Sequence, residues 1–199
     1  MTASAAANTA GIILITGGGR SGKSTYAQKL AEALPGPRLY IATTVPFDDE
    51  LRERVAKHRE ARPEDLWPQT VEEPVALAEA VRAAGVCPTV LVDCLAVWMG
   101  NLMYAAEQAG RPAPGEAEVA AICGDLVAAC RHHPGTVLLV TNEVGMSVVP
   151  DNEMARRYRD LLGRCNQVLA AAADTVVLMV SGLSLTLKEP GGAAPAAGA

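Results

Sequence analysis

Thr16-Gly17-Gly18-Gly19-Arg20-Ser21-Gly22-Lys23-Ser24-Thr25 is the stretch whose reading decides the fold. An apolar run at 12–15 precedes it and reads as a buried strand. A helical pattern over 23–34 follows. Residues 17–24 match the phosphate-loop spacing, in which two glycines frame four residues before Lys-Ser. Glycines let successive backbone N–H groups turn inward toward phosphate oxygens. The helix behind them adds the positive end of its dipole. In this pattern Lys23 reaches the β/γ-phosphates and the Ser24 hydroxyl ligates Mg²⁺.

Working outward, apolar runs alternate with helical patterns. Strands are expected at 38–42, 90–92, 137–140 and 176–180. Helices are expected at 48–61, 74–84, 95–108 and 116–130, with a long one capped by Asp151 and running to about 173. An alternating run at 183–188 reads as a short antiparallel edge strand after the Ser181-Gly182 turn. Continuous apolar strands separated by helices imply a mostly parallel sheet covered on both faces. The expected class is therefore α/β, a P-loop NTPase fold, as one domain over 11–188. Residues 1–10 and 189–199 read as Ala/Gly/Pro-rich flexible tails. Ligands of such sheets sit beyond the C-terminal strand ends. That directs attention to the residues after 15, 42, 92 and 140.

Half of the 199 residues are hydrophobic, a fifth are charged, and the formal net charge is -5. This is globular composition. No run is long enough to span a bilayer and the N-terminus lacks a secretory pattern, so a cytoplasmic protein without a membrane span is expected. The acidity argues against a nucleic-acid partner. Cys87, Cys94, Cys123, Cys130 and Cys165 lack CxxC spacing and read as free thiols.

Three further sites carry possible chemistry. Asp93 ends an apolar strand, where an acid holds Mg²⁺ or contacts nucleotide in P-loop folds; an N-cap for the next helix is the plainer reading. Glu143 follows the 137–140 strand and either positions a hydroxyl or bonds nearby backbone N–H groups. His58 stands among Lys57, Arg59 and Arg62, cations that favour a neutral imidazole able to attack phosphorus. Its spacing with Leu51, Val55 and Arg62 equally suits a packed histidine. His132 and His133, before Pro134 at a helix end, are assigned no chemistry.

These motifs together resemble one family. They are ITGGGRSGKS (15–24), LYIATT (39–44), DDELRERVAKHREARP (48–63), TVEEP (70–74), LVDCLAVWMGNL (91–102), VTNEVGMSVVP (140–150) and VSGLSLTLK (180–188). The chain is similar to the bifunctional adenosylcobinamide kinase/adenosylcobinamide-phosphate guanylyltransferases of cobalamin biosynthesis, over about 11–188. The resemblance implies a RecA-like fold and a homo-oligomer, a trimer. It implies phosphorylation of the aminopropanol hydroxyl of adenosylcobinamide by ATP or GTP. It also implies transfer of GMP from GTP to adenosylcobinamide-phosphate through a GMP–histidine intermediate.

By position, the resemblance places the nucleophile at His58 and keeps Lys23 as the second catalytic residue. It extends nucleotide contacts from the loop to Ala42, Thr43, Thr44, Arg59, Glu60, Ala61, Arg62, Glu72 and Asp93. Mg²⁺ falls on Ser24 and Asp93. Asp93 stands where some relatives carry Glu, and Glu73 competes with Glu72 for its assignment. A guanylyltransferase alone, an ordinary small-molecule kinase with a structural His58, and a nonenzymatic nucleotide switch are the other readings.

Overall fold

In the computed structural model, described for residues 10–44 and 62–191, the chain builds one seven-stranded sheet. The strands are β1 (Gly11–Gly17), β2 (Arg38–Ala42), β3 (Gln69–Glu72), β4 (Thr89–Asp93), β5 (Thr136–Val140), β6 (Thr175–Val180) and β7 (Leu183–Lys188). The helices are α1 (Lys23–Ala33), α2 (Leu77–Ala83), α3 (Leu95–Gln108), α4 (Glu116–His132) and α5 (Glu153–Ala172). The sheet order is β3-β2-β4-β5-β1-β6-β7. All pairings are parallel except β6–β7. This is the expected α/β architecture. The expected helix over 48–61 lies outside the described residues.

Alternation along the strands sorts side chains onto two faces. Ile12, Leu14, Val90, Val92, Val137 and Leu139 join buried residues of α2, α3, α4 and α5 in the larger core. Ile15, Tyr40, Leu91, Leu138, Val140 and Met179 pack on the other face with Ala27 and Ala31 of α1. Small residues on α1 let its backbone approach the sheet closely. β1 sits between β5 and β6, so its loop opens at the middle of the C-terminal edge.

Three local readings are corrected. β3 was not expected: all four of its residues are exposed, and Gln-Thr-Val-Glu carries no core-facing run. It is a strand because β2 offers a free edge, with Leu39 beside Gln69 and Ala42 beside Glu72. Asn152, not Asp151, caps α5, and its Oδ1 accepts the Ala155 N–H at 2.7 Å. The helix expected over 74–84 begins three residues later. Glu73 Oε1 accepts N–H groups of Val75 and Ala76 and so holds that segment as a turn ahead of α2.

Arg38, read only as a strand residue, ties two layers together. It is buried. Its Nε donates to Ala31 O at 2.7 Å, and Nη2 donates to Glu32 O and Leu34 O at 2.7 and 2.6 Å. These are carbonyls at the α1 C-terminus, where no further turn can satisfy them and the dipole favours a cation. The five cysteines are free thiols, three of them buried. His133 is buried, with Nε2 2.8 Å from Cys87 O, and His132 Nδ1 lies 2.7 Å from Ala128 O.

Arg38→Met keeps the apolar stem but removes these charged donors. It should destabilise the protein by about 2–4 kcal/mol in urea unfolding, since several carbonyls lose charge-assisted bonds. A loss under about 0.5 kcal/mol would show that water replaces the guanidinium there.

Candidate active site: the phosphate loop and its neighbours

The loop geometry begins with Gly17. Its φ is 149°, and a Cβ there would stand 2.3 Å from the Met179 carbonyl oxygen. Only glycine lets the chain leave β1 so close to β6. Gly22, with φ 91°, sets the last turn before α1, and Arg20 is also left-handed at φ 56°. Ser21 O accepts the Gly182 N–H at 3.0 Å, so the β6–β7 turn braces the loop from below. Gly18 and Gly19 differ from Gly17. Among the described residues, a Cβ on either meets nothing within 4 Å. The packing of those residues does not require glycine there. The open space lies where a phosphate would approach the backbone.

Lys23 is buried, and Nζ donates to Gly18 O at 2.6 Å. Burial pushes its pKa below the ordinary lysine value, and the negative charge of Asp93 acts in the opposite direction. Ser24 is half-buried in the first turn of α1. No side chain caps that helix and no acid lies in its first turn. Its leading N–H groups therefore remain available to an anion. A phosphate in the loop fits this donor set.

Asp93 does not cap α3; the N-cap is Cys94. Asp93 Oδ2 instead accepts the Tyr40 hydroxyl at 3.1 Å. Arg62 Cζ lies 3.6 Å from the centroid of the Tyr40 ring, a cation–π contact. Trp67 meets the same ring edge-on, with centroids 6.0 Å apart. Tyr40 is thus held between Asp93, Arg62 and Trp67. Burial first, then the Asp93 charge, pushes its pKa above the ordinary tyrosine value. Cys94 is pushed up to about 11, by burial and then by Asp93, and stays a thiol at neutral pH.

The other expected contacts divide. Thr43 is fully buried. Its hydroxyl donates to Cys94 O at 2.7 Å and accepts the Cys94 N–H at 2.9 Å. It fastens β2 to the start of α3 and has little left to offer a ligand. Ala42 and Thr44 flank it, partly exposed. Glu72 is exposed at the end of β3 beside Ala42, whereas the Glu73 carboxylate is engaged by backbone N–H groups. Glu143 Oε1 accepts the Gly145 N–H at 3.1 Å, and its own N–H donates to Gly17 O at 3.0 Å. It braces the loop. His58, Arg59, Glu60 and Ala61 lie outside the described residues. Sequence reasoning missed Tyr40 as the link between Asp93 and Arg62; its only sequence signal is a polar atom in an otherwise apolar strand.

A glycine-lined anion cradle at the central strand of a parallel sheet, with a lysine folded over it and an acid two strands away, defines a P-loop nucleotide-binding protein. The chain belongs to the cobinamide kinase / cobinamide phosphate guanyltransferase family, whose model matches residues 13–187. It is 43% identical over 189 residues to a bifunctional adenosylcobalamin biosynthesis protein of Escherichia coli (strain K12), covering 89% of this chain and 99% of that protein. A protein of the same description from Pseudomonas aeruginosa is 42% identical over 182 residues, covering 89% and 98%. Among solved structures, the flagellar accessory protein FlaH of Methanocaldococcus jannaschii aligns with a TM-score of 0.53. It is 12% identical, with 92% of this chain and 80% of that one covered. That likeness concerns the fold alone.

The loop geometry separates two kinds of glycine. Gly18→Ala and Gly19→Ala should leave unfolding free energy within about 0.5 kcal/mol of the parent. In a fluorescent-nucleotide titration they should weaken binding roughly tenfold, about 1.4 kcal/mol. Gly17→Ala should cost more than about 2 kcal/mol of stability, because its Cβ overlaps a carbonyl. Equal destabilisation by all three would contradict the distinction.

Proposed function

We propose that this protein phosphorylates adenosylcobinamide and then transfers GMP to the product, with His58 as the covalent carrier of GMP. Family membership supports the two activities. The observation that carries the assignment of the site is the Arg62–Tyr40–Asp93 stack beside Lys23. Arg62 follows His58 by four residues and is fixed over a ring bonded to Asp93. Covalent geometry keeps position 58 within about 14 Å of the Arg62 Cα at full extension. The reading brings the imidazole from there to the phosphate loop.

In the first reaction the loop amides and Lys23 hold the triphosphate of ATP or GTP. The aminopropanol hydroxyl attacks the γ-phosphorus and the nucleoside diphosphate leaves. Ser24 and Asp93 would hold Mg²⁺, which supplies positive charge against that building on the phosphate oxygens. In the second reaction the neutral imidazole of His58 attacks the α-phosphorus of GTP. A nitrogen–phosphorus bond forms, the bond to the bridging oxygen breaks, and pyrophosphate leaves. Lys23, Arg59 and Arg62 counter its charge. A phosphate oxygen of adenosylcobinamide-phosphate then attacks the same phosphorus, releasing the imidazole and giving adenosylcobinamide-GDP. Ala42, Thr44, Glu60, Ala61 and Glu72 border the nucleotide in this reading. Glu72 is preferred to Glu73 because its carboxylate is exposed at the strand end.

The reading places the enzyme in the cytoplasm, where its nucleotides are. Among the described residues no helix is long and apolar enough to cross a membrane. It also takes the protein as a homo-oligomer, a trimer as in the family it resembles. β7 supports this, since among the described residues it ends the sheet with one edge unpaired and leaves Leu183, Leu185 and Leu187 exposed. Uncovered apolar edges are liabilities that a partner removes.

After incubation with GTP and a magnesium salt, intact-protein mass spectrometry should show an acid-labile GMP adduct on the parent and none on His58→Ala. The same variant should lose guanylyl transfer and retain kinase turnover. If kinase and transferase activities fall together, the division of labour is wrong. Light scattering should give three chains per particle for the parent and fewer for Leu185→Asp; a monomeric parent refutes the assembly.

A further inference from the structure

A groove of about 750 Å³ lies between α3 and the start of α5. A second cavity, about 370 Å³, lies between α2, α4 and the Val75–Ala76 turn. We infer that the α3–α5 groove seats the corrin ring of the cobinamide substrate while the aminopropanol arm reaches back to the phosphate loop. This rests on the kinase and guanylyltransferase reading above and adds the location of the acceptor.

The lining suits a broad amphipathic macrocycle. Met103 and Tyr104 of α3 line the groove together with Met154 of α5. Tyr104 and Met154 are large apolar side chains left 62% and 65% exposed, a cost that a flat apolar ring would remove. Charge is balanced, with Glu107 and Glu153 against Arg111 and Arg157. A triphosphate site would carry excess positive charge. Paired donors and acceptors around an apolar floor instead suit a ring whose rim bears neutral amides. The wall is built rather than loose, since Arg157 Nη2 donates to Ala113 O at 2.5 Å and pins that segment to α5. The Tyr158 hydroxyl donates to Ala96 O at 3.0 Å, which holds α5 against the base of α3.

The groove is joined to the nucleotide site by two direct chain paths. α3 starts immediately after Asp93-Cys94, and its residues at 100–107 line the groove. At helical rise Gly100 lies roughly 8 Å along the axis from Leu95 and Tyr104 roughly 14 Å. The hydroxyl to be phosphorylated hangs from the corrin on about seven bonds, roughly 8 Å when extended, comparable to the rise of α3 from Leu95 to Gly100. The second path is 141–152, which is bonded to Gly17 O through the Glu143 N–H and ends at Asn152 on the groove. Arg156 Nη1 holds its end through Pro150 O at 3.0 Å.

Gly100 gives a clean test. Among the described residues a Cβ there meets nothing within 4 Å, and Gly100 lines the groove, so a larger side chain there can enter it. Gly100→Trp and Tyr104→Ala would be compared with the parent in cobinamide titrations followed by corrin absorbance, and in kinase kinetics. Both variants should raise the cobinamide Kd and KM at least tenfold, with the ATP KM unchanged within twofold and parental melting temperatures. Unchanged cobinamide affinity in both folded variants would overturn the assignment. So would a changed particle mass by light scattering with unchanged cobinamide KM, since the groove would then seat a second copy. A parent that binds cobinamide but turns over no nucleotide would sink the functional reading and leave the groove to be judged by the titration alone. A parent that binds no cobinamide sinks both.

Discussion

The rest of the molecule depends on one close approach, the passage of Gly17 beside the Met179 carbonyl. There the central strand leaves the sheet with no room for a side chain. The chain then curls through Gly22 into α1, and among the described residues nothing stands within 4 Å of a Cβ built on Gly18 or Gly19. Parallel neighbours on both sides of β1 fix the strand, and the bonds from Gly182 and Glu143 fix the loop from either flank. A concave run of amides holds its shape only if the ground on both sides is rigid.

Around that cradle the acidic and aromatic groups act as one unit. Tyr40 bonds Asp93, carries Arg62 on its face and meets Trp67 edge-on. The carboxylate lowers the cost of burying Lys23 as a cation. The arginine follows His58 by four residues in the chain. Thr43 and Asn101 fasten the same edge from the other side, through bonds to Cys94 and to Thr43 O.

Much of this was legible before any coordinates. β2, β4, β5 and β6 announced themselves through buried apolar runs, and β7 through alternation after Ser181-Gly182. β3 was silent because its four exposed residues owe their strand geometry to the edge of β2 and not to any burial of their own. Asn152 and Asp151 are equally good caps by composition, and only the direction of the chain entering α5 chose between them. Arg38 read only as a strand residue because nothing in its neighbours signals that the end of α1 lies over it.

The sequence by itself determined the phosphate loop, the parallel α/β class and the family, because those rest on local spacing: glycines where the backbone must turn, apolar runs where strands are buried. Only the tertiary structure decided which polar groups are free to act. Thr43 and Glu73 were plausible contacts by motif, yet their side chains are engaged by the backbone of Cys94 ahead of α3 and of the turn ahead of α2. Tyr40 was an ordinary strand residue until Asp93 and Arg62 were brought to it across 53 and 22 positions of chain. Hydrogen-bond partners are set by proximity in space, and proximity between distant residues is not written in the spacing of either.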